Sequence, residues 1–341
     1  MRILSGVQSS GDLHLGNYYG AIKQFVDLQA EPGAETLYFI ANLHALTSLP
    51  DGEKIRHYTY QTAAAYLAFG VDPKRSILYR QSDIPEVPEV FWVFNNLLTV
   101  PWLERGVAYR EKVENRKQDG SLGLLAYPVL QAVDILLYGT DLVPVGKDQQ
   151  QNVEWAQDIA QKFNSQYVPG YEPTLPNGDA THPAGVFKRP EFRIQAATGI
   201  IKGTDGKKMS KSYDNTIPLF ADDKTIENTI KKKMQMDSTP LEAPKPLDGP
   251  PSTLYELLRL MAPADRWPAI DKSWREGGRG YGHFKGDLLE IFHANFDGAR
   301  KKYNELIADK GELDRILRDG AERARALAAP YYAKVRQLTG M

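Results

Sequence analysis

Two stretches of the 341-residue chain set groups that handle anions at close spacing. The first, SGDLHLGNYYG from Ser10 to Gly20, places His14 and Asn17 around Gly16, with Gly11 upstream. It follows a strand-like segment, RILSGV, and leads into Tyr18, Ile22, Phe25 and Val26, the spacing of a helix with one buried face. A strand that delivers a glycine-rich turn into a helix N-terminus offers backbone N–H groups and the positive end of the helix dipole to an anion. His14 and Asn17 would add side-chain donors. The second stretch, GKKMSKS from Gly206 to Ser212, crowds Lys207, Lys208 and Lys211 with Ser210 and Ser212. Ammonium groups this close repel one another unless a polyanion or water screens them. It is not a Walker A loop, since Lys208 stands where Ser or Thr is needed and Ile201 where the first glycine would be. Alone, the first stretch also reads as a tight polar turn and the second as a solvated basic loop. Side by side, they read equally as a polyphosphate clamp.

Two further residues carry potential chemistry. Asp134, in QAVDILL, is a lone carboxylate on an apolar helix, either a surface or capping residue or a buried acceptor. His44 ends a strand-like segment in ANLHALT, where a structural role is the default. His57, His182, His283 and His293 share no spacing with carboxylates, so no metal cage is expected. The absence of cysteine excludes disulfides, thiolate nucleophiles and cysteine-based metal centres. A net charge of −1 means that any nucleic-acid contact must be local. Even from residue 217 on, 21 basic residues face 19 acidic ones. No N-terminal apolar h-region and no long apolar run is present, so neither export nor membrane insertion is expected, and the expected location is the cytoplasm.

The elements that must position these groups alternate. RILSGV, TLYFIAN and SILYRQSD read as strands followed by polar loops, with a helix between each pair; Asp51 is a candidate N-cap and Gly70 a stop for the second helix. YPVLQAVDILLYG reads as a helix stopped by Gly139, and DLVPVGKDQQQNVEWAQDIAQKF as a strand, a loop and a helix. Residues 164–206 are rich in Pro and Gly and return to a last strand near EFRIQAA. Strand–helix alternation predicts an α/β fold, a Rossmann-like doubly wound parallel sheet. Ligands then bind beyond the carboxyl ends of the strands, so the loops Gln8 to Asn17, Asn42 to Ser48 and Gly146 to Gln149 should share one crevice. From about Ile217 the patterns are helical, interrupted by the solvent loop DSTPLEAPKPLDGPPS. The expected division is a catalytic domain over 1–216, with an inserted, partly helical segment around 103–190, and an all-α domain over 217–341.

The GDLHLGN segment resembles the HIGH signature of class I aminoacyl-tRNA synthetases, and KMSKS at Lys208 to Ser212 matches their second signature letter for letter. SGVQSSGDLHLGNYYGAI, YPVLQAVDILLY, VPVGKDQQQNVEWAQDIAQKFN, GRGYGHFKGDL and ELDRILRDGAERA together are similar to the bacterial tryptophanyl-tRNA synthetases over nearly the whole chain. The resemblance implies attack of the amino-acid carboxylate on the α-phosphate of ATP, then transfer to tRNA(Trp). No general base is required, because the carboxylate is already a nucleophile at neutral pH; the protein supplies alignment and charge stabilisation. It implies His14 and Asn17 as donors near the phosphates, and Lys208 and Lys211 as stabilisers of pyrophosphate with Mg²⁺, on a mobile loop. ATP would further touch Gln8, Ser9, Ser10, Gly16, Gly146, Lys147, Asp148, Ile194, Met209, Ser210 and Ser212. L-tryptophan would lie among Leu4, Gln8, His44, Tyr127, Gln131, Val143, Val145 and Gln149, with Asp134 accepting the indole N–H. The 217–341 domain would read the anticodon, and the 103–190 segment would serve the dimer and the amino-acid pocket of a homodimer. Two positions depart from the pattern, Gln131 where Met is frequent and Lys147 where Glu is frequent. A tyrosyl-tRNA synthetase and a non-catalytic synthetase-like RNA-binding protein are the alternatives.

Overall fold

The computed structural model describes residues 1–107, 109–110, 113, 120–146, 149–194, 200–238, 241 and 249–341. Five parallel strands form one sheet: β1 (Arg2–Val7), β2 (Glu35–Ile40), β3 (Ser76–Arg80), β4 (Leu142–Val145) and β5 (Glu191–Ile194), in the order β3-β2-β1-β4-β5. Between them run α1 (Lys23–Leu28), α2 (Gly52–Ala68), α3 (Glu86–Asn95), α4 (Leu122–Leu136) and α5 (Gln150–Tyr167). Both faces of the sheet are covered, so β2 and β3 are almost continuously buried, as parallel strands are. Their side chains alternate between two cores. Tyr38, Ile40 and Leu78 pack with Phe25 and the Ala63–Leu67 stretch of α2, whereas Leu37, Phe39, Ile77 and Tyr79 pack with Val129, Ala132 and Val133 of α4.

The expected parallel α/β sheet is present, and its most consequential detail is the join between its halves. The chain builds β1, β2 and β3 outward in one direction, then returns to place β4 on the other side of β1. β1 and β2 pair over six residues, from Arg2↔Glu35 to Val7↔Ile40. β1 and β4 register only at Ile3↔Leu142. Beyond that pair the strands part, and the gap lies at the carboxyl ends on either side of the topological switch point, where ligands bind in such sheets. Asn42 to Ser48, expected as a loop, begins instead with a helical turn at Asn42–Ala45. Its exposed N–H groups find an acceptor that local sequence does not contain: Gln81 Oε1 takes the N–H of Leu43 at 3.1 Å. Gln195, Ala196 and Ala197 of EFRIQAA, and most of DSTPLEAPKPLDGPPS, lie outside the described residues.

The C-terminal region is helical, as expected, with α6 (Pro250–Met261), α7 (Trp267–Glu276), α8 (Tyr281–Ala308) and α9 (Lys310–Thr339). Leu254, Leu258, Trp274, Phe284, Leu288 and Phe292 fill its interior. That interior is continuous with the core under α1 and α2. The last helix returns to the sheet. Ala321, Ala324 and Ala328 of α9 are buried in the core on the other face, and Arg323 Nη1 donates to the carbonyl of Pro73 at 2.7 Å. Asp314 accepts from Arg80 at 2.8 Å and from Tyr60 at 3.0 Å. The approach is possible because position 320 is glycine: a Cβ there would fall on the carbonyl oxygen of Leu78. Gly320→Ala should therefore destabilise the protein by about 2 kcal/mol or more through overpacking against backbone that cannot move aside. Gly298→Ala, on a stretch of α8 where a Cβ meets nothing, should instead add about 0.5–1 kcal/mol. Urea melts of the two variants check the pair, and equal effects would mean that α9 does not dock at Leu78.

Candidate active site

The gap between β1 and β4 is a cavity of about 460 Å³, within the range of small-molecule sites. Leu4 from β1, Val143 and Val145 from β4 and Tyr127 from α4 supply an apolar wall. Gln8, His44 and Asp134 bring polar groups to the same space, and Gln131, Gly146 and Gln149 are among the other residues on its border. Residues from all three loops named above thus meet in one crevice. Lys147 and Asp148 lie outside the described residues, and the residue that immediately precedes α5 is Gln149.

Asp134 is 1% exposed. A carboxylate so placed needs donors. Gln81 Nε2 donates to Asp134 Oδ2 at 2.7 Å, and His44 Nε2 lies 3.0 Å from the same oxygen. Burial pushes the Asp134 carboxyl above the usual carboxylate range, and the bonds from His44 and Gln81 oppose that shift. Both described partners use Oδ2, so Oδ1 is the acceptor left for a ligand in the cavity that Asp134 lines. Gln81 is a residue that the motifs do not reveal. Fully buried at the end of β3, it holds the Asn42–Ala45 turn with its oxygen and Asp134 with its nitrogen. His44 is fixed further by its carbonyl, which accepts from Gln8 Nε2 at 2.9 Å.

The two glycine- and lysine-bearing loops are in contact. Gly16 N–H points to Met209 Sδ at 3.3 Å, and Met209 is buried. Two backbone bonds, Leu15 N–H to the Ile217 carbonyl at 3.0 Å and Leu219 N–H to the Leu13 carbonyl at 3.1 Å, tie the first loop to the chain that follows the second. Lys211 reaches Gly11, where a Cβ would stand 2.9 Å from its ammonium. Burial lowers the Lys211 pKa, with Asp12 opposing. Asn215, also outside the motifs and 1% exposed, fastens the second loop from within: its oxygen accepts from Ser210 N–H at 2.8 Å, and its nitrogen donates to Asp205 at 2.7 Å and to the Lys208 carbonyl at 3.0 Å. Ser210 Oγ accepts from Ser212 N–H at 3.3 Å.

The remaining expected contacts are distributed unevenly. Asn17 Oδ1 takes the backbone N–H of His14 at 3.0 Å, so the group that Asn17 can offer a ligand is its NH₂. Ser9 is fully buried and accepts from Thr59 of α2 at 3.3 Å, which fixes the loop to that helix and leaves its hydroxyl facing away from solvent. Ile194 is 42% exposed at the end of β5, and neither it nor Lys208, Met209, Ser210, Lys211 and Ser212 borders the cavity between β1 and β4. Ser10 and Gly16 are partly exposed beside it.

His14 is 7% exposed with Nδ1 unpartnered among the described residues. Burial, assisted by the nearby Lys211 charge, lowers its pKa from 6.5 to about 4. The ring is therefore neutral at physiological pH, and it can give a ligand one N–H, not two. Because the unfolded chain binds this proton first, stability falls as pH drops through 6.5 and the loss is complete below about 4. A shift of this size corresponds to about 3 kcal/mol. Wild type should lose that much more stability than His14→Gln between pH 7 and pH 4 in denaturant melts; parallel pH profiles would contradict it.

The fold and this paired-loop site together define a class. A model of the family described as tRNA synthetases class I (W and Y) matches residues 1–260, and the chain belongs to that family. Among its relatives, the tryptophan–tRNA ligase of Campylobacter jejuni is 42% identical over 341 residues, the full length of both chains. That of Fusobacterium nucleatum is 41% identical over 340 residues, covering 100% of this chain and 98% of the relative. A crystal structure of the Campylobacter jejuni tryptophanyl-tRNA synthetase complexed with ADP and tryptophan superposes with a TM-score of 0.87 at 41% identity over all of both chains.

Proposed function

We infer that the chain is a tryptophan–tRNA ligase, activating L-tryptophan with ATP and transferring it to tRNA(Trp). The observation that carries this reading is the buried Asp134 carboxylate beside an apolar wall of the cleft, in a chain 42% identical over its whole length to a tryptophan–tRNA ligase. An aromatic ring fits the wall of Leu4, Tyr127, Val143 and Val145, and Asp134 Oδ1 takes the indole N–H. A ring without a donor leaves that oxygen unpaired in a dry site, which discriminates strongly.

ATP lies across the first loop, its phosphates toward His14, the NH₂ of Asn17 and the ammonium groups of Lys208 and Lys211. The carboxylate of tryptophan attacks the α-phosphorus, the bond from that phosphorus to the bridging oxygen breaks, and pyrophosphate departs. His14 as neutral donor and the two lysines stabilise the charge that develops on the phosphate oxygens. A Mg²⁺ that arrives bound to the nucleotide would add to this stabilisation. Gly146, Asp148 and Gln149 hold the ribose and the ammonium side of the adenylate.

The helical 217–341 region is assigned to the tRNA anticodon. A homodimer is proposed by the resemblance, and Trp92 at 68%, Val100 at 57% and Leu122 at 77% are large apolar side chains exposed in the single chain. No helix among the described residues is long and apolar enough to cross a membrane, and tRNA charging places the work in the cytoplasm.

ATP–pyrophosphate exchange across the twenty amino acids tests the assignment. Exchange should depend on tryptophan; dependence on tyrosine would select the sister enzyme, and RNA binding with no exchange would select a non-catalytic protein. Asp134→Asn should raise the KM for tryptophan by at least about tenfold, since a bond to a charged acceptor contributes roughly 1.5–3 kcal/mol, with the KM for ATP unchanged. Equal effects on both substrates would remove Asp134 from the indole. Lys211→Ala should lower kcat for adenylate formation by about tenfold or more while leaving the urea midpoint in place; an unaltered rate would dissolve the clamp.

A further inference from the structure

The ladder between β2 and β3 stops at the Ile40↔Arg80 pair, and Gln81 opens the short helical turn Gln81–Asp83 that follows. Gln81 holds Asp134 with its nitrogen and the Asn42–Ala45 turn with its oxygen, so the place of this short turn decides where the carboxylate points. Three bonds hold the turn within the site itself. Arg80 Nε donates to Asp83 Oδ2 at 2.7 Å, and Asn42 and Ser82 exchange a reciprocal pair, Asn42 Nδ2 to Ser82 Oγ at 2.8 Å and Ser82 N–H to Asn42 Oδ1 at 3.0 Å. A reference from outside the site comes from α9. Arg80 Nη1 donates to Asp314 Oδ1 at 2.8 Å across 234 positions of sequence, with the two side chains 22% and 33% exposed. Asp314 is fixed in turn by Tyr60 of α2, whose hydroxyl lies 3.0 Å from each carboxylate oxygen. Further along, α9 is seated on β3 at Gly320, and Arg323 donates to the Pro73 and Ser76 carbonyls at the other end of the strand, at 2.7 and 3.4 Å.

We propose that Asp314 and Arg80 are positioning residues for recognition of the amino acid: by gripping Arg80, α9 sets the turn that carries Gln81 and, through Gln81, the direction of the free Asp134 oxygen. The proposal rests on the reading of Asp134 as the indole acceptor. Gln81 holds one oxygen of that carboxylate, so a shift of the turn rotates the carboxylate and swings its other oxygen away from the ring. His44 does not oppose the rotation, because it binds the same oxygen and sits on a turn that Gln81 also holds. The Asn42–Ser82 pair makes the two turns move together, and a displacement at Arg80 therefore carries both donors with it. Hydrogen bonds weaken steeply as their angle departs from linear, so a small rotation is enough to lower the affinity for an indole N–H. Arginine suits the task. Its planar fork gives one nitrogen to Asp83 and another to Asp314, which fixes the angle of the turn to α9 as well as its distance.

ATP–pyrophosphate exchange by the full-length protein, run with tryptophan and with benzothienylalanine, in which sulfur replaces the indole N–H, reads the direction of the Asp134 oxygen. Wild type should prefer tryptophan strongly in kcat/KM, because only tryptophan pairs the buried acceptor. Asp314→Ala and Arg80→Met should each cut that preference by about threefold to tenfold, as suits a misdirected bond to a charged acceptor rather than a missing one. The loss should enter through a higher KM for tryptophan, with the KM for ATP unchanged. An ion pair that serves stability alone would lower the urea midpoint and leave the preference intact, and that result overturns the proposal. In a Gln81→Met background, Asp314→Ala should reduce the preference no further, since the two residues act in series. An undiminished effect there routes the influence of Asp314 around Gln81 and overturns the proposal too; where Gln81→Met does not fold, the single variants decide. A wild type that uses both amino acids equally well would instead bring down the reading of Asp134 as the indole acceptor, and this inference with it.

Discussion

A carboxylate held away from water must be met by donors, and in this molecule that requirement joins three separate parts of the chain. Asp134 comes from α4, His44 from the turn after β2 and Gln81 from the end of β3. None of the three could remain in place without the others. Removing Gln81 would strand both the carboxylate and the N–H groups of the Asn42–Ala45 turn. The same three groups bring the ends of two strands and a helix to the rim of one cavity, so the arrangement that satisfies the buried charge also shapes the space beside it. The cleft is a by-product of a solved electrostatic problem, with one carboxylate oxygen left over for use.

Much of the fold is legible in the sequence because its signals are local. A short run of β-branched and aromatic residues, then a polar loop, then a helical stripe, marks the first strands of the sheet, and the rule that ligands gather at strand carboxyl ends brings the three loops together. The lysine-rich loop and the glycine-rich turn are recognisable for the same reason. Gln81 and Asn215 are not. A carboxamide is neutral, common at surfaces and able to donate or accept; its task depends wholly on what lies across from it in space, and Gln81 is 53 positions from Asp134. The return of α9 to β3 is invisible for a related reason. Gly320 reads as a weak point in a helix until the backbone of Leu78 is found against it. His14 illustrates a subtler gap. Its type and place are plain, but its charge state is set by burial and by Lys211, which arrives from nearly two hundred residues away.

The two halves of the site are built on different principles. The cleft beside Asp134 is walled by β1, β4 and α4 and crossed by hydrogen bonds that link Asp134 to His44 and Gln81, and Asn152 to Gln131 and Gln149. The other half is a contact between two loops, made through Gly11, Gly16, Met209 and Lys211 and held internally by Asn215. The cleft is built from side chains on strands and helices, whereas the loop pair is joined mainly through glycine backbone, one sulfur and one ammonium.

The solitary register pair between β1 and β4 makes the sheet a pair of tongs. Ile3 and Leu142 are its pivot, reinforced at the base by the bond from Asp141 N–H to the Arg2 carbonyl at 2.9 Å. Val145 lies three residues beyond Leu142, which at strand spacing is a lever of about 10 Å. A tilt of about six degrees at the pivot then alters the jaw opening by about 1 Å, a change comparable to the tolerance of a hydrogen bond. With no ladder across the gap, the grip between the jaws is set by whatever they hold, and the substrate itself becomes a structural cross-piece of the sheet.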